Sequence, residues 1–172
     1  MSYATPTQFI DRFGLRETAQ LLADEQRLLT AALLVVAVGG AAYPDGTSAD
    51  QATATDAGLQ RLQTALDTAS NLMDGYMRSV VSLPLSADNA NAGVLRDCCM
   101  ALTRCSLADD ADNFTDRMQA LADQWTKWLE DVSKGRIKLV LADASQAQDS
   151  FRVRHGKAKS SFDWGHHGGG RA

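Results

Sequence analysis

The sequence contains few of the residues that favour strands or interrupt helices. Aromatic residues make up 6% of its 172 residues, and there are only 3 prolines. Apolar residues amount to 45% of the chain and are mainly alanine and leucine, which favour helices over strands. A chain of this length and apolar content can form one packed domain. The composition therefore predicts an all-α protein.

Cysteine and histidine are also scarce, and their positions do not suit catalysis or metal binding. The three cysteines cluster between Cys98 and Cys105, without the paired spacing of a disulfide framework or a zinc site. The three histidines lie at or after His155 in a Gly-rich segment, where nothing fixes a catalytic tautomer. Motifs of hydrolases, phosphate loops and zinc proteases are missing as well. We expect no enzymatic activity, no cofactor and no metal.

Long apolar runs are missing too. The most apolar stretch, from Leu28 to Tyr43, is shorter than the ~20 residues that a membrane-spanning helix needs, and Gly39 and Gly40 interrupt it. The N-terminus has no signal-peptide pattern of basic, apolar and small residues. We expect a soluble protein that is made in a reducing cytoplasm and has no membrane partner.

Charge is unevenly distributed along the chain. Residues 1–150 carry 12 basic and 20 acidic residues, whereas residues 151–172 carry five basic residues and one acid, so their net charges are −8 and +4. An acidic body disfavours binding to duplex DNA, because the phosphates are repelled. A basic segment attached to such a body suggests an arm that binds an acidic surface.

The basic segment also contains aromatic residues that are unfavourable in solvent. Its candidate contact residues are Phe151, Arg152, Arg154, Phe162 and Trp164. Such a mixture can bind single-stranded nucleic acid by charge and stacking, or it can place aromatic side chains in pockets of a partner protein. A disordered, solvated tail in the free protomer is a third interpretation. We favour docking on a partner protein, and we predict an extended C-terminal arm over residues 142–172.

Two short helices are predicted near the N-terminus. Thr5 suits the cap position and Pro6 the first residue of a helix, and Gly14 suits its C-terminal end. A second helix is expected over about residues 16–24.

The following segment, residues 25–55, is the hardest to interpret. Glu25 to Val38 predicts a helix that is apolar nearly all round, although a buried strand over Leu33–Val38 fits the same run. The next residues predict a turn and a loop that lasts until Asp56.

A helix that is apolar all round has to be buried, either in the core or against a neighbouring subunit. A small monomer should not leave so much apolar surface exposed. We therefore predict that Leu29, Leu33 and Val36 contribute to a contact between subunits.

Apolar residues at intervals of three and four predict a long helix from Asp56 to about Ser82, which Pro84 ends. Asn91 is expected to cap the helix that follows.

The last predicted helix runs from Phe114 to a C-terminal end near Gly135, and residues 137–141 fit a short extended segment. The whole pattern predicts a helical domain over residues 1–141, in which residues 25–55 form an apolar segment and a loop.

Four blocks of residues occur in an order that is characteristic of one family. They are Tyr3-Ala4-Thr5 with Phe9 to Gly14 and Leu21-Leu22; Ala65 to Ser70 with Met73 to Tyr76 and Leu83-Pro84-Leu85; Leu95, Cys98, Leu102, Thr103-Arg104 and Leu107; and Trp128-Leu129, Val132, Gly135 to Ile137 and Leu139. Together they resemble the Mu-like phage head–tail connector family, long known only as a domain of unknown function. Residues 25–55 and the tail after Ala142 depart from its pattern.

The resemblance implies a compact helical bundle of the connector type over residues 1–141, in which residues 25–55 are an apolar insertion and loop. Copies of this bundle form a ring, commonly of twelve. The resemblance places the ring in the virion, beneath the portal protein and above a stopper or tail-terminator protein, where genomic DNA passes without specific binding. It implies synthesis in the host bacterial cytoplasm, no catalysis and no cofactor. The prediction is therefore a structural head–tail connector, or adaptor. The alternative, from the basic arm, is a nucleic-acid-binding packaging or regulatory protein of a phage.

Overall fold

The computed structural model describes residues 2–23, 26–85, 89–108 and 114–140. Within these ranges it contains six α-helices and no strand, so the prediction of an all-α fold is confirmed. The helices are α1 (Pro6–Phe13), α2 (Leu15–Leu21), α3 (Ala31–Val38), α4 (Ala49–Met77), α5 (Ala92–Leu107) and α6 (Asp116–Ser133).

The first two helices form as their sequence signals predict. The Thr5 hydroxyl accepts a hydrogen bond from the Gln8 N–H, and the Gln8 side chain accepts one from the Thr5 N–H, which completes a capping box. Gly14 has a φ of 87°, a conformation that favours glycine, and its N–H bonds to the Ile10 carbonyl oxygen. The chain therefore turns at Gly14, and α2 begins at the next residue.

The helix α3 is shorter than the predicted helix over Glu25–Val38. The Thr30 hydroxyl accepts a hydrogen bond from the Leu33 N–H at 3.3 Å, and this cap sets the start of the helix at Ala31. Residues 26–30 are not helical. The alternative of a buried strand over Leu33–Val38 is wrong, because those residues are helical.

The helix α4 begins seven residues earlier than predicted and ends earlier than predicted. Ser48 and Gln51 form a second capping box, with bonds of 3.1 and 3.2 Å, so the segment before Asp56 is helix rather than loop. At the other end, the N–H groups of Val80 and Val81 both bond to the Met77 carbonyl, which closes the helix in a turn.

The last two helices differ from prediction at their caps. Asn91 occupies the cap position of α5, but its side chain makes no capping bond. Thr115, one residue after Phe114, caps α6 by accepting from the Met118 N–H at 3.3 Å. The helix ends close to Gly135, as predicted, where φ is 69°.

The long helix α4 is the centre of the bundle and packs against α1, α3, α5 and α6. Its buried face carries Leu62, Leu66, Met73 and Met77, which meet core residues of the other helices, among them Phe9, Leu34, Leu95, Cys98, Cys99, Leu129 and Val132. Truncating one of these large side chains to alanine is expected to lower the free energy of unfolding by ~2–5 kcal/mol.

Candidate interaction surface

The three residues predicted to contribute to a subunit contact are mostly buried inside the protomer. Leu29 is 6% exposed and Leu33 is 8% exposed, and Val36 keeps part of its surface free. Leu29 belongs to the core cluster. Packing within one protomer therefore explains the apolar character of Leu29 and Leu33 without a second subunit. A role for the three residues in a subunit contact stays a prediction. Of the three, Val36 has the most solvent-accessible surface for such a contact.

The outer side of α3 exposes a different valine. Val35 is 53% exposed, whereas the leucines of this helix are buried and its other two valines are half-buried. Val38, one turn later and on the same side of the helix, lines a groove. The apolar surface of α3 therefore continues from Val35 towards that groove.

This groove lies between α1, α3 and α4 and has a volume of about 490 Å³. It is called the α3–α4 groove below, and its lining residues are Pro6, Thr7, Val38, Asp56, Leu59, Gln60 and Gln63. Pro6 begins α1, Val38 ends α3, and Asp56, Leu59 and Gln63 follow one face of α4 at intervals of three and four residues. Three elements distant in sequence thus build one apolar floor with a polar rim.

Asp56 is the one charged residue among those that line the groove. One of its carboxylate oxygens accepts a hydrogen bond from the Tyr43 hydroxyl at 2.5 Å. Partial desolvation, together with this bond and the carboxylate charge, raises the pKa of Tyr43 to about 12. Tyr43 therefore stays a hydrogen-bond donor at neutral pH, and the second oxygen of Asp56 remains available to a ligand.

The lining of the groove combines apolar side chains with one carboxylate and no basic residue. In sequence, the stretch between Arg27 and Arg61 contains Asp45, Asp50 and Asp56 and no lysine or arginine. An apolar floor with a carboxylate beside it suits a ligand that is both apolar and basic.

Three other depressions on the described surface each have an arginine in their lining. Arg78 lines the first, Arg96 the second and Arg61 the third. The second, of about 320 Å³, lies beside the N-terminal segment, where the Tyr3 hydroxyl donates to Asp74 and the Tyr3 N–H donates to Ser70 Oγ at 3.1 Å. These bonds tie the start of the chain to α4.

One side chain holds the end of the described chain against α5. Asn91 Nδ2 donates to the Val140 carbonyl oxygen at 2.7 Å, and the Val140 N–H donates to Asn91 Oδ1 at 3.1 Å. Val140 is the last residue that the structure describes. The five residues predicted to dock on a partner lie outside the described ranges: Phe151, Arg152, Arg154, Phe162 and Trp164.

The family model described as Bacteriophage Mu, Gp36 matches residues 3–155 of the chain. The chain belongs to this bacteriophage Mu family. The matched range extends past Leu139, where the resemblance seen in individual residues ended, and includes the beginning of the C-terminal arm. No curated protein matches the chain.

The cysteines of this family member are core residues rather than reactive groups. Burial raises the pKa of Cys98 to about 12 and raises the pKa of Cys99 as well, so both are neutral thiols at physiological pH. In the part of the chain that the structure describes, no three side chains of His, Cys, Asp or Glu are grouped to hold a metal ion. None of the helices in that part is long and apolar enough to cross a membrane.

Proposed function

We propose that this protein is the structural head–tail connector, or adaptor, of a tailed phage. Copies form a ring beneath the portal protein, join the DNA-filled head to the stopper or tail-terminator protein, and line the channel through which the genome passes. The ring is expected to contain twelve copies, as the resemblance implies. Membership of a bacteriophage Mu family supports a phage role, and the finer assignment is the proposal.

The observation that carries the proposal is the apolar surface around α3. Val35 is exposed, and the groove beside it is lined by Pro6, Val38 and Leu59. Exposed apolar surface that continues into a groove is typical of protein–protein contacts. The residues act by position in an assembly, so the proposal requires no catalytic group.

The charge of the body fits a channel for DNA. Residues 1–150 carry a net charge of −8, and a surface of that sign repels phosphates over a range of ~8–10 Å at physiological salt. Genomic DNA would therefore slide through the ring without adhering to its wall.

Electron microscopy of the phage with the gene deleted tests the proposal. The expected result is DNA-filled heads without tails, and complementation should restore a ring of this protein at the neck. Mature particles whose necks are complete without the protein would refute it. A salt-titrated DNA-binding assay separates the alternative: a steep salt slope that disappears when the arm is removed favours a nucleic-acid-binding role.

A substitution at α3 tests the surface that supports the proposal. Val35→Asp should leave the helical content unchanged, because the side chain is exposed, but should reduce ring assembly and infectivity. Val35→Ile is the matched control, since it keeps the surface apolar. Equal assembly of the two variants would show that this surface is not a contact.

A further inference from the structure

We infer that the α3–α4 groove is the receptor for the C-terminal arm of a neighbouring copy of the chain. In this contact an aromatic side chain of residues 151–164 fills the groove, and the adjacent arginines face Asp56. The inference rests on the proposed function, because it names the contact that closes the ring.

The chemistry of the groove matches the chemistry of the arm. The floor is apolar at Pro6, Val38 and Leu59, and its volume of about 490 Å³ is within the range of ligand-binding clefts. The arm supplies Phe151, Phe162 and Trp164, and aromatic side chains are enriched in the cores of protein–protein interfaces.

Charge favours this groove over the three other depressions described above. Residues 151–172 of the arm have a net charge of +4. Two of those depressions pair an arginine with Asp74, and the third presents Arg61 without an acid. The α3–α4 groove instead presents Asp56 and no basic residue in its lining. Complementary charge raises the rate of association and disfavours the wrong sites.

The groove lies at a distance from the last described residue of the chain. That residue, Val140, is bound to Asn91 at the start of α5, and that end of α5 lies beside Asp74 of α4. The groove lies around Gln60, fourteen residues earlier in α4, which is ~21 Å along the helix axis. When one patch of a protomer binds a different patch of the next, the contact is heterologous, and such contacts generate a ring when the rotation between protomers closes.

The C-terminal arm is long enough to make this contact. The chain has ten residues between Val140 and Phe151 and twelve more between Phe151 and Trp164, and an extended chain spans up to ~3.3–3.6 Å per residue. Either aromatic can therefore span the distance to a groove, on its own or on an adjacent protomer, and the mixing experiment below distinguishes the two.

A binding experiment tests the receptor directly. The receptor is the full-length chain with Phe151, Phe162 and Trp164 changed to alanine, called the arm variant, and the probe is a fluorescein-labelled peptide of residues 148–166. We expect saturable binding with one peptide per chain. Adding Asp56→Arg should weaken it at least tenfold, and Gln63→Arg, at the other end of the groove, should weaken it in the same direction.

The controls are built into the same titration. Asp123→Arg reverses an exposed carboxylate on α6 and should change the dissociation constant less than twofold. A peptide with its three aromatic residues replaced by alanine should not bind. No binding of the native peptide, or an equal loss with Asp123→Arg, would overturn the inference. So would tighter binding of the peptide to single-stranded oligodeoxythymidine than to the arm variant.

Mixing two full-length variants tests whether the contact joins different copies. The Asp56→Arg chain keeps its arm, and the arm variant keeps its groove. Above the dissociation constant of the peptide, native mass spectrometry should show heterodimers in the mixture and no rings from either variant alone. Absence of heterodimers refutes a contact between copies.

Failure of the inference is separable from failure of the proposed function. If the arm variant forms rings that cannot join the portal protein, the arm binds the portal, so the inference fails and the connector assignment stands. If the protein is absent from the neck of mature particles, the connector assignment fails whatever the peptide binds.

Discussion

Leu29 packs against the backbone of Gly58 on α4, in the space that a side chain at position 58 would occupy. The Cβ and the carbonyl oxygen of Leu22 lie on the same side, each 3.6 Å from the position of such a side chain. Arg61, one turn later, donates from its guanidinium to the Leu22 carbonyl oxygen. A glycine inside a helix is unfavourable by ~1 kcal/mol relative to alanine. At position 58 the α2–α3 connection packs so closely against α4 that it leaves no room for a side chain, which is the physical reason for Gly58.

Replacing Gly58 by alanine should therefore destabilise the protein although alanine favours the helix. We expect Gly58→Ala to lower the free energy of unfolding by ~1–2 kcal/mol, because the added methyl group overpacks the site. In a Leu29→Ala background the sign should reverse, with a gain of up to ~1 kcal/mol from helix propensity. Urea denaturation of the four proteins of this cycle measures both values.

Gly75 provides the control for that prediction, because it lies in the same helix and faces open space. Gly75→Ala should raise the free energy of unfolding by ~0.5–1 kcal/mol. If Gly58→Ala stabilises the protein as much as Gly75→Ala does, the packing argument is wrong.

The paired bonds between Asn91 and Val140 lead to a second prediction. Asn91→Ala removes both bonds and should lower the free energy of unfolding by ~1–2 kcal/mol. Hydrogen exchange of the Val140 amide should become faster, because that N–H loses its acceptor. Asn71→Ala on the exposed side of α4 is the control and should not reduce stability. Unchanged exchange at Val140 in the Asn91→Ala protein would contradict this account.

Local signals in the sequence predicted much of the fold. Thr5, Pro6 and Gly14 set the bounds of α1 by interactions within one turn, and these bounds are correct. Ser48 and Gln51 carry the same kind of signal, a hydroxyl followed three residues later by glutamine. The start of α4 was therefore predictable in principle, but it lay in a stretch that composition alone assigned to a loop.

Long-range contacts were not predictable in the same way. The amide of Asn91 suits a helix cap, but it pairs with Val140, a partner 49 residues away. The groove requires Pro6, Val38 and Leu59 to meet, and no periodicity within one element reports that meeting. The burial of Leu29 likewise depends on the missing side chain at Gly58, which is known only once the two segments are packed together.

A third prediction concerns the contact of α5 with the α1–α2 corner. Arg104 forms an ion pair with Glu17 at 2.5 Å, and its guanidinium lies 4.8 Å from the centre of the Phe13 ring. Lysine cannot reproduce the planar fork and the stacking, so Arg104→Lys should lower the free energy of unfolding by ~1 kcal/mol. Thermal and urea unfolding measure the change.

Arg12 gives the matched comparison for Arg104. It pairs with Asp97 at 2.7 Å, but both side chains are more exposed, and its guanidinium lies 5.9 Å from the Phe13 ring centre. An exposed pair of this kind is worth ~0–1 kcal/mol, so Arg12→Lys should have the smaller effect. An equal loss in the two variants would show that burial and stacking add nothing at Arg104.

The buried thiols predict how stability depends on pH. Desolvation, with a smaller contribution from Cys99, raises the pKa of Cys98 to about 12, whereas a thiol in an unfolded chain ionises near ~8.5. Between these values the folded state binds more protons than the unfolded state, so the free energy of unfolding falls as pH rises. Cys98→Ala should make this fall shallower by up to ~1.4 kcal/mol per pH unit.

Urea denaturation with a reductant at pH values from 7 to 10.5 measures that slope for the native protein and two variants. At pH 7 the Cys98→Ala protein should be less stable by ~1 kcal/mol, because a buried group is lost from the core. Cys105→Ala is the control, since Cys105 is more exposed than Cys98 and its ionisation is less opposed by burial, so the slope should change less. If both variants keep the native slope, ionisation of the core thiols does not cause the loss of stability at alkaline pH. The next group to test is then the phenol of Tyr3, whose pKa is also raised, by the substitution Tyr3→Phe.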